Sequence, residues 1–270
     1  MNIQRKYKYA LLSLGIVIFL FSFSYTTGFL KIFSVVMAVL VATLGTALVQ
    51  YSSVKTEHTL NFFIKRTYLS ILVLPLVLIL GSILSLVYFP NLGLPTRTLT
   101  IGAVGALMYA ISLMNNIFLV VFERGEVIPL YRVALTWSQI LLIVVSIPFF
   151  SGIFKLPVNS IYQSLVVAGA SGLFASFLWW AQEMDPEVPD IDSKEELLNS
   201  LFVAFVVFVF SISTSFFPSE SFLRALLVSS VLMSALGYLQ AHYKNVITKK
   251  LIMEYVLITF VFLLFVLFFN

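Results

Sequence analysis

Cysteine is absent from the 270 residues, and charge is scarce: Asp, Glu, Lys and Arg together make up 10% of the chain. Without thiols there is no disulfide framework and no thiolate metal or redox site. A soluble globular domain carries about 25% charged residues, and a disordered chain is poor in aromatics. Here 60% of the residues are hydrophobic and 27 are phenylalanine, which argues against both. The formal charge of +4 does not point to nucleic acid, because Lys and Arg in a membrane chain chiefly set its orientation.

What is abundant is the long uncharged run. Nine can be marked: residues 9–30, 32–54, 67–96, 98–122, 133–154, 156–182, 197–219, 225–243 and 255–270, the last completed by Leu251–Met253 and Glu254. About 20 apolar residues cross the hydrocarbon core as a helix, and an open sheet cannot satisfy its backbone there. The expected fold is therefore an all-α integral membrane protein of the cell membrane. It is a bundle of about nine transmembrane helices in a single domain, residues 1–270. Membrane lipids and other membrane-protein subunits are the expected partners.

Basic residues suggest the orientation. With a cytoplasmic N-terminus, the inside segments hold Arg5, Lys6, Lys8, Lys55, Lys65, Arg66, Arg124, Arg132, Lys194, Lys244, Lys249 and Lys250, twelve in all. The outside segments hold only Lys31, Arg97, Lys155 and Arg224. That bias places the N-terminus inside, and an odd number of spans places the C-terminus outside. The first run is long for a signal peptide, and Ser24–Gly28 offers no small-x-small cleavage site, so it reads as a retained helix. Two short echoes join the ends of the chain: Phe21–Ser24 with Phe210–Ser213, and Phe29–Lys31 with Phe222–Arg224.

No Asp, Glu, Lys or Arg lies in the middle of a run. Intramembrane charges mark proton relays, ion paths and counter-ions, so proton pumping and voltage sensing are disfavoured. Small residues recur at helical spacing instead. They form Ala38-xxx-Ala42-xxx-Thr46, Gly102-xxx-Ala106-xxx-Ala110, Ala168-xxx-Gly172-xxx-Ser176 and Ser230-xxx-Ser234. Such ridges let helices approach closely, so these four spans are expected inside the bundle. Ser171, in a Gly-Ala-Ser-Gly stretch, and His242 resemble the serine and histidine of rhomboid proteases. They lie about eleven residues apart in depth, roughly 15 Å, too far for a Ser–His dyad.

Asn115 and Asn116, near the inner end of the fourth run, with Gln139 in the fifth and Gln163 in the sixth, form a candidate polar cavity. Trp179 and Trp180 read as interfacial anchors. The connection Ala181–Ser200 is acidic, with Glu183, Asp185, Glu187, Asp190, Asp192, Glu195 and Glu196 against Lys194 alone. Asp185, Asp190 and Asp192 are the candidate ligands there for a hard cation such as Mg²⁺. The simpler reading is a solvated linker, with Asp192–Glu196 starting the next helix.

Nine spans, a cytoplasmic N-terminus and the stretch Phe177–Leu198, with Val188-Pro189-Asp190-Ile191-Asp192 at its centre, resemble the UbiA-type intramembrane prenyltransferases. The resemblance implies Mg²⁺-dependent chemistry on a prenyl diphosphate at the cytoplasmic face. The chain departs from that pattern at two places. Lys194 stands where a second Asp belongs, and Gln50–His58 contains no Asp at all. The leading expectation is accordingly non-enzymatic and without a cofactor. It is a lipid or apolar-solute carrier, or a subunit of a membrane complex, with the UbiA-like enzyme as the alternative.

Overall fold

The computed structural model describes residues 3–51, 66–89, 93–124, 126–185, 188 and 192–268, and every regular element among them is helical. Nine helical spans among these residues are long and apolar enough to cross a membrane. In chain order they are Lys6–Tyr25, Phe29–Gln50, Thr67–Tyr88, Leu94–Arg124, Pro129–Phe154, Ser160–Gln182, Lys194–Thr214, Ser221–Tyr243 and Lys249–Phe268. They follow the nine uncharged runs one for one. The chain groups into two compact units, residues 1–141 and 142–270, divided inside the fifth helix.

In the first unit, spans one and two form a tight hairpin. Gly28 turns the chain at φ 63°, a left-handed conformation that favours a residue without Cβ. The second span is α-helical to Leu40, widens to a π turn over Val41–Gly45, and resumes at Thr46. The Thr43 hydroxyl donates to the Val39 carbonyl at 2.9 Å, at the point where the widening disturbs the regular ladder. Ala38, Ala42 and Thr46 are all fully buried, so this small-residue ridge faces protein.

The ridge of the fourth span behaves differently. Gly102 and Ala106 are exposed, and a Cβ at Gly102 would meet nothing within 4 Å. The close approach falls three residues later: a Cβ on Gly105 would run into the Val17 side chain, and the Ser13 hydroxyl donates to the Gly105 carbonyl. The third span carries Pro75 within its helix. Proline has no N–H to give the carbonyl four residues back, and that carbonyl, on Ile71, accepts from Asn115 Nδ2 at 3.1 Å. One buried amide thus repairs the helix that a proline interrupts.

In the second unit, spans six and seven are closely joined. Gly172 lies where a Cβ would stand 3.4 Å from the Ala204 Cβ and 3.5 Å from the Ser200 carbonyl oxygen. The hydroxyls of Ser176 and Ser200 meet at 3.0 Å, and Ser211 donates to Ser164 at 3.0 Å. Asn159 caps the start of span six by accepting from the Ile161 N–H. Span eight touches span five through Ser146 and Ser229 at 2.9 Å, and span nine through Ser234 and Thr259 at 3.0 Å. Such bonds contribute about 0.6 kcal/mol each between membrane helices. Span nine buries only Val266.

Candidate functional site

Spans seven, eight and nine enclose an apolar groove of about 550 Å³. Span seven contributes Phe202, Val206 and Phe210 at four-residue intervals, and span eight Leu227, Val231 and Ala235 at the same intervals. That spacing aligns side chains on one helix face. Span nine completes the wall with Ile252, Tyr255, Val256, Thr259, Phe260 and Leu263. Tyr255 lies directly over Gly237, where any Cβ would collide with its ring. The glycine therefore sets how deeply span nine's aromatic side chain can seat.

Among the described residues, no charged side chain lines the groove. Its serine and threonine hydroxyls are turned to protein: Ser213 donates to the Val209 carbonyl and Thr214 to the Ser211 carbonyl, each at 2.7 Å, and Ser234 meets Thr259 at 3.0 Å. The surface that remains is hydrocarbon and ring. From Phe202 to Thr214 the wall runs about 18 Å along the helix, at 1.5 Å per residue. That covers much of a hydrocarbon core about 30 Å thick.

One end of the groove is polar. Tyr238, in its wall, stacks on the His242 ring with 5° between planes and 6.3 Å between centroids. His242 Nε2 lies 3.9 Å from a Glu195 carboxylate oxygen. On neighbouring turns, Lys244 Nζ donates to Asp185 at 2.8 Å, and the Trp179 and Tyr243 rings stand 4.7 Å apart. The groove can thus receive an extended apolar chain, with a hydrogen-bonding group at its Tyr238 end.

The acidic residues named from sequence do not gather into a metal centre among the described residues, where no group of three His, Cys, Asp or Glu could hold an ion. Asp185 is 4% exposed and its carboxylate is paired with Lys244. Asp192 is exposed and stands at the start of the seventh helix; its carbonyl accepts from the Glu196 N–H. Asp190 and Glu187 lie outside the described residues.

The amides have separate settings. Gln163 donates to the carbonyls of Leu156 at 2.9 Å and Phe154 at 3.4 Å, closing the end of the fifth helix. Asn116 accepts from the Tyr9 hydroxyl at 2.7 Å, while Asn115 serves Ile71. Gln139 is half-buried on the fifth helix. The Ser171 hydroxyl donates to the Val167 carbonyl at 2.8 Å, whereas His242 faces Glu195. Sequence reasoning missed the groove, though phenylalanine on one face of span seven and Ala235 and Gly237 in span eight were its signals. It also missed Gln50, a buried amide near the end of the second run.

No protein family model matches the chain, and no curated protein or solved structure matches it. The nine apolar helices among the described residues are compatible with a polytopic membrane protein.

Proposed function

We propose that this chain is a multi-pass protein of the cell membrane that binds a lipid chain or another apolar solute between spans seven and nine. It acts as a non-enzymatic carrier or as a lipid-holding subunit of a membrane complex. The observation that carries the reading is the uncharged groove of about 550 Å³, walled by aromatic and branched side chains over about three helical turns. Ligand pockets typically have about 300–1,000 Å³ and mostly apolar walls.

The prenyltransferase alternative would need Asp185, Asp190 and Asp192 to hold Mg²⁺. The pairing of Asp185 with Lys244 weighs against it, because an ammonium already occupies the position a cation would take. In orientation, the excess of Lys and Arg on one set of connections supports a cytoplasmic N-terminus and an outside C-terminus. Reporters fused after Ser200 and after Asn270 test this: opposite sides are expected, and the same side overturns it.

Binding itself is tested with Ala235→Phe, which puts a ring into the groove from its eighth-span wall. The wild type in detergent binds a fluorescent fatty acid or long-chain prenol saturably, and the variant binds at least tenfold more weakly while melting at a similar temperature. Equal binding by the two proteins overturns the reading.

A further inference from the structure

The polar end of the groove is built from both of its longer walls. On span seven, Glu195, Asn199, Phe202 and Val206 recur at i, i+4, i+7 and i+11. On span eight, Val231, Ala235, Tyr238 and His242 follow the same spacing. Each set lies on one helix face. Phe202 and Tyr238 meet with ring centroids 6.5 Å apart. Beyond them both walls turn polar together, at Glu195 and Asn199 on one helix and His242 on the other.

The separation of these groups is the informative quantity. His242 Nε2 and the Glu195 carboxylate oxygen stand 3.9 Å apart. That is too far for a direct hydrogen bond and close enough for one oxygen to bond both. The two side chains are 44% and 50% exposed, so the gap is open. Asn199, between Glu195 and Phe202 on the same face, has a buried Nδ2 without a hydrogen-bond partner. Buried donors are rarely left so. The other end of the groove offers no such set. Arg224, one turn beyond Leu227, lays its guanidinium 4.5 Å from the centre of the Phe154 ring on the fifth helix.

We infer that the groove prefers a single-chain lipid ending in a neutral hydroxyl, a long-chain alcohol, over a fatty acid or a bare hydrocarbon. The inference rests on the groove reading above and names the head of its ligand. A hydroxyl both donates and accepts, a carboxylate only accepts, and an amide nitrogen only donates. The alcohol therefore gives its proton to Glu195 and accepts from His242 or Asn199. A carboxylate head has no proton to give and sets a second negative charge beside Glu195. Lys249, one turn before Ile252 on span nine, is exposed, so water and salt screen its attraction for such a head. A hydrocarbon bonds none of the three groups. Sites that hydrogen-bond a ligand hydroxyl discriminate strongly against the analogue lacking it.

The test is competition on the full chain in detergent, with a fluorescent long-chain alcohol as tracer. It is run at about pH 9, where a carboxylic acid is ionised. Hexadecanol displaces the tracer at a concentration about tenfold or more below that of hexadecanoate or hexadecane. In Glu195→Gln the charge is gone and an acceptor stays, so hexadecanoate gains on the alcohol. In Asn199→Leu hexadecanol weakens while hexadecane does not. Saturable tracer binding with equal displacement by all three ligands overturns this inference and leaves the groove reading standing. Tighter binding of hexadecanoate than of hexadecanol, or an unchanged order in both variants, also overturns it. No saturable tracer binding overturns the groove reading as well. Should the variants not fold, the three-ligand comparison on the wild type decides.

Discussion

Spans one and four of the first unit and spans seven and nine of the second are walled by similar residues, yet one pair closes and the other leaves a groove. Closure in the first unit comes from a missing side chain. Gly105 lets Val17 and Ser13 reach its backbone, and the Tyr9–Asn116 bond holds a nearby point between the same two helices. In the second unit, span eight is held to span nine by Ser234–Thr259 and by Tyr255 over Gly237. Span seven turns phenylalanines toward the same space, and a groove remains among the three. The contrast teaches that apolarity does not decide whether membrane helices close up. The placement of glycine and of paired polar groups does, since lipid is as apolar as any side chain.

The echo between the chain's ends shows the same divergence. Ser22 and Ser211 occupy matching positions in the two short repeats, and each joins a serine on another span, Ser34 and Ser164 respectively. Ser22 pairs forward to the next span and Ser211 backward to the preceding one. The letters repeat, but the packing does not.

Glycine substitution is the strongest way to break the comparison. Gly105→Leu forces spans one and four apart and costs about 3 kcal/mol or more, and Gly172→Leu costs about 1–3 kcal/mol between spans six and seven. Gly102→Leu, facing open space, changes stability by less than about 0.5 kcal/mol. Thermal unfolding in detergent checks the set, and equal effects at positions 102 and 105 would reverse the assigned helix face.

Next in size is the ion pair at the polar end of the groove. Lys244→Met removes the ammonium paired with the buried Asp185 carboxylate and costs about 1–3 kcal/mol, moderated because Lys244 is partly exposed. Adding Asp185→Leu recovers much of that loss, which a double-mutant cycle measures. Tyr9→Phe, which orphans the Asn116 oxygen in the first unit, costs about 1 kcal/mol. Thr259→Val removes the link between spans eight and nine and costs about 0.6 kcal/mol. A larger loss at Thr259 than at Tyr9 would mean that the groove's outer wall, rather than the first unit, depends more on polar links.

The nine spans were legible because charge is so rare that its absence marks each helix. The helix faces were not. Span four is apolar nearly all round, so Gly102-Ala106-Ala110 and the face containing Gly105 look equivalent in a list of letters. The use of Asn115 depended on Pro75, forty residues earlier in the chain, and no local pattern connects the two. Gln163 is read as polar lining, but the carbonyls it caps lie across a turn at the end of another helix. The pairing of Asp185 with Lys244 joins two connections distant in sequence, and no local pattern announces it.

The most direct measurement is photo-crosslinking of the protein in bilayers with a fatty acid carrying a diazirine along its chain, followed by peptide mapping. The account predicts saturable adducts concentrated on residues 202–217, 227–238 and 252–263, competed away by unlabelled lipid and lost in Ala235→Phe. Adducts spread evenly over the outer faces of all nine spans, without competition, would contradict it.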